Sequence, residues 1–544
     1  MNPLASTKCA ARLLMALAVI ATTLFVASCG SSNNGAPVNN QGYSASNLSG
    51  TYVFSSLGSD STNGLFLAAV GTVTANGTGG ITGGMIDVNG FSLTGGPFST
   101  AITSGTYSVS SDGRGTATIQ YSGGSSTFDF VLTSTAGGLV TEFDGNGTGS
   151  GTLDLQTTGS LTGAYSFGLT GASVSGQNEV PLAAVGTFDV SASKPQGEPT
   201  NGLIDINSNG TAPGGTAGLT LSATVTAGSP GTALLVAQNG TTYNFHVYMV
   251  DDTHLKFIET DTAQILAGDA FTQQTSIPNG IYAYAMDGLD NSDAPLAVAG
   301  FITAGSSNAI SAGLEDYNDA GTTGQVSGFG GSYTSFSGGR TELTLNGIYN
   351  GVSGTNSDVT FAAYPSSGGI ELLEIDNGGI TGGIALPQGS ATSLGTSQGY
   401  GLNISAINAG NGSGSFEEDD IAEIVTSSSG SSFTGVEDIN DEGTTTFGTA
   451  FDGNLTTNSA APGYGSAAST SSGTNLVNFN YYLANNGATA LILETDDYQL
   501  GTGIIEQQAS AQSSAQSRPA AAHSHFSIVP LKAGARAAWK NRNK

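Results

Sequence analysis

Gly50-Thr51-Tyr52-Val53-Phe54-Ser55-Ser56-Leu57 opens a unit that runs on through residues 65–75, 80–88, 105–110, 115–121, 126–134, 138–143 and 149–156. All eight stretches are alternating or β-branched runs separated by Gly, Asn and Asp. They read as eight short strands. Asn76-Gly77, Asn89-Gly90 and Asp112-Gly113 supply the left-handed backbone angles that tight hairpin turns need, so neighbouring strands run antiparallel as a meander. Period-two alternation places Tyr52 and Phe54 on one face of the first strand, and Phe128, Phe130 and Leu132 on one face of the sixth. These aromatics read as core. No window carries a helical period.

The unit recurs four times with a period of about 115 residues. The openings are Gly50/Tyr52, Gly163/Tyr165, Gly280/Tyr282 and Gly399-Tyr400-Gly401, the last with its tyrosine displaced by one. Asp-x-Asn follows at Asp87/Asn89, Asp205/Asn207, Asp316/Asn318 and Asp438/Asn440. Glu-x-Asp comes later at Glu142/Asp144, Glu259/Asp261, Glu374/Asp376 and Glu494/Asp496, and Gln156, Gln273, Gln388 and Gln507 close the units. The organisation is a signal segment 1–28, a tether 29–48, β repeats 49–161, 162–278, 279–397 and 398–508, and a basic tail 509–544.

Eight antiparallel strands in that length suit an all-β, up-and-down barrel, whose closure removes sheet edges. β-sandwiches or propeller-like blades are the alternative, because Gly105-Thr106-Tyr107 echoes Gly50-Thr51-Tyr52 half a repeat later. The Gly-x-Tyr opening of a meander this long resembles the lipocalin and avidin group of barrels, with Tyr in place of that group's Trp. That resemblance implies a ligand cup, to which no residue is transferred. The Gly-x-Tyr openings, the Asp112-Gly113-Arg114-Gly115 turn and the Glu-x-Asp strands together resemble uncharacterised bacterial repeat lipoproteins.

Lys8 and Arg12 precede an apolar run over residues 13–26 that ends in Val26-Ala27-Ser28-Cys29. A basic start and so short an apolar stretch mark an export signal, not a membrane span. Its ending resembles the lipobox of bacterial lipoproteins, which implies cleavage before Cys29, a lipid on its sulfur, and membrane attachment at the cell envelope, in an outer membrane or at the cell surface. Cys9 falls in the segment removed, so no disulfide is expected.

Between Cys29 and Ser510 stand all 41 acidic residues against Arg114, Lys194, Lys256 and Arg340, a balance of −37. The tail carries six bases and no acid. Such a body repels nucleic acid and excludes it as a partner. Solubility is the plain reason for the charge. Asp-x-Asn and Glu-x-Asp each set two oxygen-bearing side chains on one face of a strand, which suits either turn capping or calcium. All sixteen residues are therefore candidate calcium ligands, and Glu417-Glu418-Asp419-Asp420 adds acid in repeat 4. None matches an EF-hand, and no other cofactor is indicated. His246 and His254 both lie in repeat 2, and Gly395-Thr396-Ser397-Gln398-Gly399 lacks the strand-turn-helix setting of a nucleophile elbow, so it reads as a linker. An enzyme is not expected. The sequence points to a lipid-anchored envelope module that binds, adheres or builds structure through a surface glycan or a protein. A carrier of apolar ligands in the lumens is the first alternative and a secreted hydrolase the second.

Overall fold

The computed structural model describes residues 41–175, 178–190, 197–292, 294–351, 356–408, 416–459, 461–470 and 477–511. The signal segment, Cys29, most of the tether and the basic tail lie outside the described residues. In the first repeat the strands are Ser49–Asp60, Phe66–Asn76, Gly80–Gly90, Phe98–Val109, Arg114–Tyr121, Gly124–Ser134, Gly137–Asp144 and Gly147–Leu155. Each pairs antiparallel with its neighbour, and the first pairs with the eighth, Tyr52 opposite Leu155 and Gly58 opposite Gly149. A sheet whose first strand bonds its last has no free edge, so the sandwich and blade alternatives fall. Gly58 permits the close approach at this closure, since a Cβ there would sit 1.7 Å from the Thr148 carbonyl oxygen.

Barrels 2 and 3 close in the same way, from Gly163–Ser175 to Gln264–Thr272 and from Gly280–Leu289 to Ile380–Pro387. Barrel 4 runs from Gly399–Asn408 to Gln499–Gln507. Its second strand, Glu417–Thr426, pairs with its third, Ser432–Asp441, and so completes a ring of eight. Its fourth strand is broken at Phe451 and Asp452 into Thr444–Ala450 and Gly453–Thr457, and both pieces pair with the third strand. Phe451 is buried in the lumen cluster of barrel 4, which accounts for the break.

The lumens are filled with side chains. Tyr52, Phe54, Phe128 and Phe130 pack together in barrel 1, with the Phe54 and Phe128 ring centroids 5.5 Å apart. They leave a cavity of about 40 Å³. Tyr165, Phe167, Phe188, Phe245 and Phe257 fill barrel 2.

Register corrects two readings of repeat 4. The backbone N–H of the closing glutamine donates to the middle residue of each opening: Gln156 to Thr51, Gln273 to Ala164, Gln388 to Ile281, and Gln508 to Gly399. The fourth opening is therefore Gln398-Gly399-Tyr400, with its tyrosine in place and only the leading glycine replaced. Its closing residue is Gln508, which is buried, and not the exposed Gln507.

The barrels themselves form a ring. The first three strands of each barrel pack on the last three of the next, from barrel 1 to 2, 2 to 3, 3 to 4, and 4 back to 1. One head-to-tail interface is used four times and closes on itself. Linkers 156–162, 273–279 and 388–398 span three of the seams. The fourth has no linker, and there the two ends of the described body clasp each other, Tyr43 Oη donating to Ala509 O at 2.7 Å and Asn47 Nδ2 to Ala511 O at 3.2 Å.

Candidate functional site

The two acidic motifs prove to be the two halves of each seam. Asp-x-Asn lies on the outward face of the third strand, since Ile86 and Val88, which flank Asp87, belong to the lumen cluster of barrel 1. Its asparagine reaches the next barrel and donates to backbone carbonyls at the Glu-x-Asp turn. Asn89 Nδ2 bonds Glu259 O at 2.8 Å and Asp261 O at 3.1 Å. Asn207 Nδ2 bonds Glu374 O at 2.8 Å and Gly379 O at 3.0 Å. Asn318 Nδ2 bonds Glu494 O, Asp496 O and Gln499 O at 3.1, 3.2 and 2.9 Å. Asn440 Nδ2 closes the ring on Glu142 O at 2.6 Å and Gly147 O at 2.9 Å. Four buried amides thus pair carbonyls that would otherwise lie unbonded between barrels.

The aspartate of the motif meets the sixth strand of the next barrel, and here the seams differ. Cross-strand pairing of Phe128 with Glu142, Phe245 with Glu259, Phe361 with Glu374 and Phe479 with Glu494 aligns the four sixth strands. Three residues beyond each Phe stand Val131, Tyr248, Tyr364 and Tyr482, and one residue beyond stand Asp129, His246, Ala362 and Asn480. Asp87 accepts from Tyr248 Oη at 2.8 Å and pairs with His246 Nδ1 at 2.7 Å. Asp205 accepts from Tyr364 Oη at 2.6 Å and takes the buried Arg340 in a fork, Nε at 2.7 Å and Nη2 at 2.9 Å. Asp316 accepts from Tyr482 Oη and from Asn480 Nδ2 at 2.6 Å. Asp438 has no tyrosine to meet, because Val131 occupies that place, and it lies 3.5 Å from Arg114 Nη1.

In Glu-x-Asp the two side chains part. The aspartates accept backbone N–H groups, Asp261 from Ala263 at 3.0 Å and Asp496 from Gln499 at 2.9 Å within the turn, and Asp144 from Thr127 at 2.9 Å and Asp376 from Thr360 at 2.6 Å on the neighbouring sixth strand. The glutamates lie opposite lumen phenylalanines and are buried. Desolvation, helped by the neighbouring aspartate, pushes Glu142 up to about 8 and Glu259 and Glu494 well above the carboxylate range. Glu374 rises to about 7 through burial, although the Thr381 hydroxyl opposes the rise.

Among the described residues, no group of three or more Asp, Glu, His or Cys side chains is arranged to hold a metal ion. The sixteen candidate ligands are instead divided between seams, turns and lumens. Among the residues that complete the seams, Tyr248, Tyr364 and Tyr482 recur three residues beyond the sixth-strand Phe in three of the four repeats, with Val131 in the first, whereas Arg340 has no counterpart in the other repeats; neither reveals its partner, which lies in a different barrel. The closing glutamines recur in all four repeats. Gln156 donates to Met249 O, Gln273 to Gly338 O, Gln388 to Pro462 O, and Gln508 to Asp112 O and Leu132 O, always in the following barrel. Of the two histidines among the described residues, His246 sits in a strand and binds Asp87. His254 is buried beside Asp269, 2.7 Å away, and that carboxylate also holds the buried Lys256 at 2.8 Å.

No family model and no curated protein matches this chain. Among solved structures it is similar to the isotype 1 transferrin-binding protein B of serogroup B Neisseria meningitidis, at 10% identity and a TM-score of 0.17, over 67% of this chain and 83% of that one. That likeness is too slight to carry a shared arrangement.

Proposed function

We propose that the chain is an exported, lipid-anchored bacterial protein whose ring of barrels serves as a binding, adhesive or structural module of the cell envelope. The observation that carries this reading is that the recurring polar motifs are consumed by the seams and the lumens are filled by side chains, so contact with a partner falls to the outer surface. The hairpins of the fourth and fifth strands offer such a surface. Each barrel bears one exposed large apolar residue there: Phe98, Leu234, Phe336 and Phe447. The carrier reading needs an open lumen of several hundred Å³, whereas the cavities inside barrels 1 and 3 are about 40 and 20 Å³; a space of about 460 Å³ lies at the end of barrel 3, lined by Pro278, Tyr282, Ile370 and, from barrel 4, Asn485. Attachment rests on Cys29 and its lipobox-like flank. The test is metabolic labelling with palmitate in a bacterial host, followed by fractionation. The wild-type chain should take up label and sediment with membranes, and Cys29→Ala should do neither. Label on Cys29→Ala, or a soluble wild type, overturns the anchor.

A further inference from the structure

The seam between barrel 4 and barrel 1 differs from the other three in its charge. Where Tyr364 and Arg340 answer Asp205, and Tyr248 and His246 answer Asp87, this seam sets a second carboxyl, Asp129, toward Asp438. Asp129 is 1% exposed, and neither of its oxygens finds a well-formed hydrogen bond, although the Thr116 hydroxyl stands beside it on the paired strand. The one cation at the site is Arg114, with Nε 3.1 Å from Asp112 Oδ2 and Nη1 3.5 Å from Asp438 Oδ2. Asp438 also accepts from Gly448 N at 2.6 Å. The other elements at this seam add only acid: Glu142 and Asp144 from the seventh strand of barrel 1, Glu417 and Asp419 from the second strand of barrel 4, and Glu506 from its eighth. Ser59 donates to Glu417, Thr148 and Ser150 to Asp419, and Thr133 to Glu506.

Three carboxyls stand around one guanidinium whose side chain is still 22% exposed, and the fully buried Asp129 has no ion-pair contact with it, so its charge is the costly one to keep. We infer that Asp129, with Asp438, Asp112 and Arg114, forms a proton-binding site that latches the ring at the one seam no linker spans. With the proton on Asp129, the two remaining carboxylates share Arg114 and the seam closes. With the proton lost, a second negative charge faces Asp438 across the seam and the barrels part. Burial, with Asp438 adding and Thr116 and Arg114 opposing, raises Asp129 to about 7. A raised carboxyl favours the closed form fully below its ordinary range, and that advantage fades as pH climbs to about 7. The ring should therefore be closed in acid and open in mild alkali. The seam between barrels 2 and 3 also buries a raised carboxyl, Glu371, but Asp269, the acid it faces, is held by both Lys256 and His254, and Asp205 there is held by Arg340, so this seam should hold.

The described body contains no cysteine, so paired labels can be placed at will. Spin labels at Thr62→Cys and Thr444→Cys span this seam, and labels at Asn201→Cys and Ser337→Cys span the linked seam between barrels 2 and 3. Distances measured by pulsed electron resonance from pH 5 to 9 should show a long population growing above about pH 7 for the first pair alone, with the circular dichroism of the strands unchanged. Asp129→Asn, which cannot ionise, should stay closed throughout. Arg114→Gln should open at lower pH than wild type. Distances independent of pH, an Asp129→Asn that follows wild type, or both pairs lengthening together with loss of β signal would each overturn the latch.

Discussion

At the scale of single residues, the seams rest on side chains that the fold leaves no substitute for. Arg340 is 1% exposed, and its carboxylate partner, Asp205, comes from the preceding barrel. Asp205→Ala would strand a guanidinium in the interior and remove the acceptor of the Tyr364 hydroxyl, and breaking such a pair from one side costs about 3–5 kcal/mol. Asp205→Asn keeps one acceptor and should cost less. Urea unfolding of the two variants should rank them in that order, and equal midpoints would mean that Arg340 finds another partner. Recurrence in the sequence picked out Asp205, Asn207 and their counterparts as a set. Their role was not legible, because a motif spaced within one repeat does not say that its partner lies in the next. Two oxygens on one strand face look the same whether they await calcium or a neighbouring barrel's carbonyl and hydroxyl groups.

At the scale of elements, alternation and turn chemistry placed all eight strands of the first repeat, missing chiefly the early start of the fourth at Phe98. That strand is largely exposed and carries Ser, Thr and Ala where a buried face would alternate, so its first half gives no periodic signal. Repeat 4 misled for a related reason. Gly50, Gly163 and Gly280 hold left-handed angles of +123°, +99° and +158°, whereas the equivalent position is Gln398, so the Gly-x-Tyr pattern aligns one residue too late. The register then predicts that two adjacent glutamines behave differently. Gln508→Ala frees two buried carbonyls in barrel 1, those of Asp112 and Leu132, and should cost about 1–3 kcal/mol. Gln507→Ala removes an exposed side chain and should leave the urea midpoint where it was. Equal effects, or the reverse order, would place the closing residue at Gln507 after all.

At the scale of the whole molecule, the acid content reads differently once the ring is known. Composition suggested a solvated, solubilising surface, yet among the described residues 24 carboxyl side chains are buried, and these residues offer them only Arg114, Lys256 and Arg340 as Lys or Arg partners. Composition could not reveal this, because a carboxyl turned into a lumen or a seam has the same letter as one in water. Buried carboxyls that outnumber cations so heavily must keep protons. Desolvation first, and neighbouring acids after it, hold Glu315 and Glu418 up at about 7 and Glu142, Glu371 and Glu437 at about 8. The unfolded chain returns them to the ordinary range near 4, so between about pH 4 and pH 8 the folded state binds more protons than the unfolded one. Stability must then fall as pH rises through that window, the reverse of a protein whose carboxylates are salt-bridged. A tenfold change in the acidity of a single carboxyl on folding corresponds to about 1.4 kcal/mol, which is already sizeable beside the usual 5–15 kcal/mol of a folded domain. The urea midpoint of the ring should accordingly be higher at pH 5 than at pH 8, and unfolding in unbuffered solution near pH 6.5 should release protons. A midpoint that rises toward pH 8, or unfolding that takes protons up, would mean that the buried carboxyls are ionised and that cations or water reach them in the folded ring.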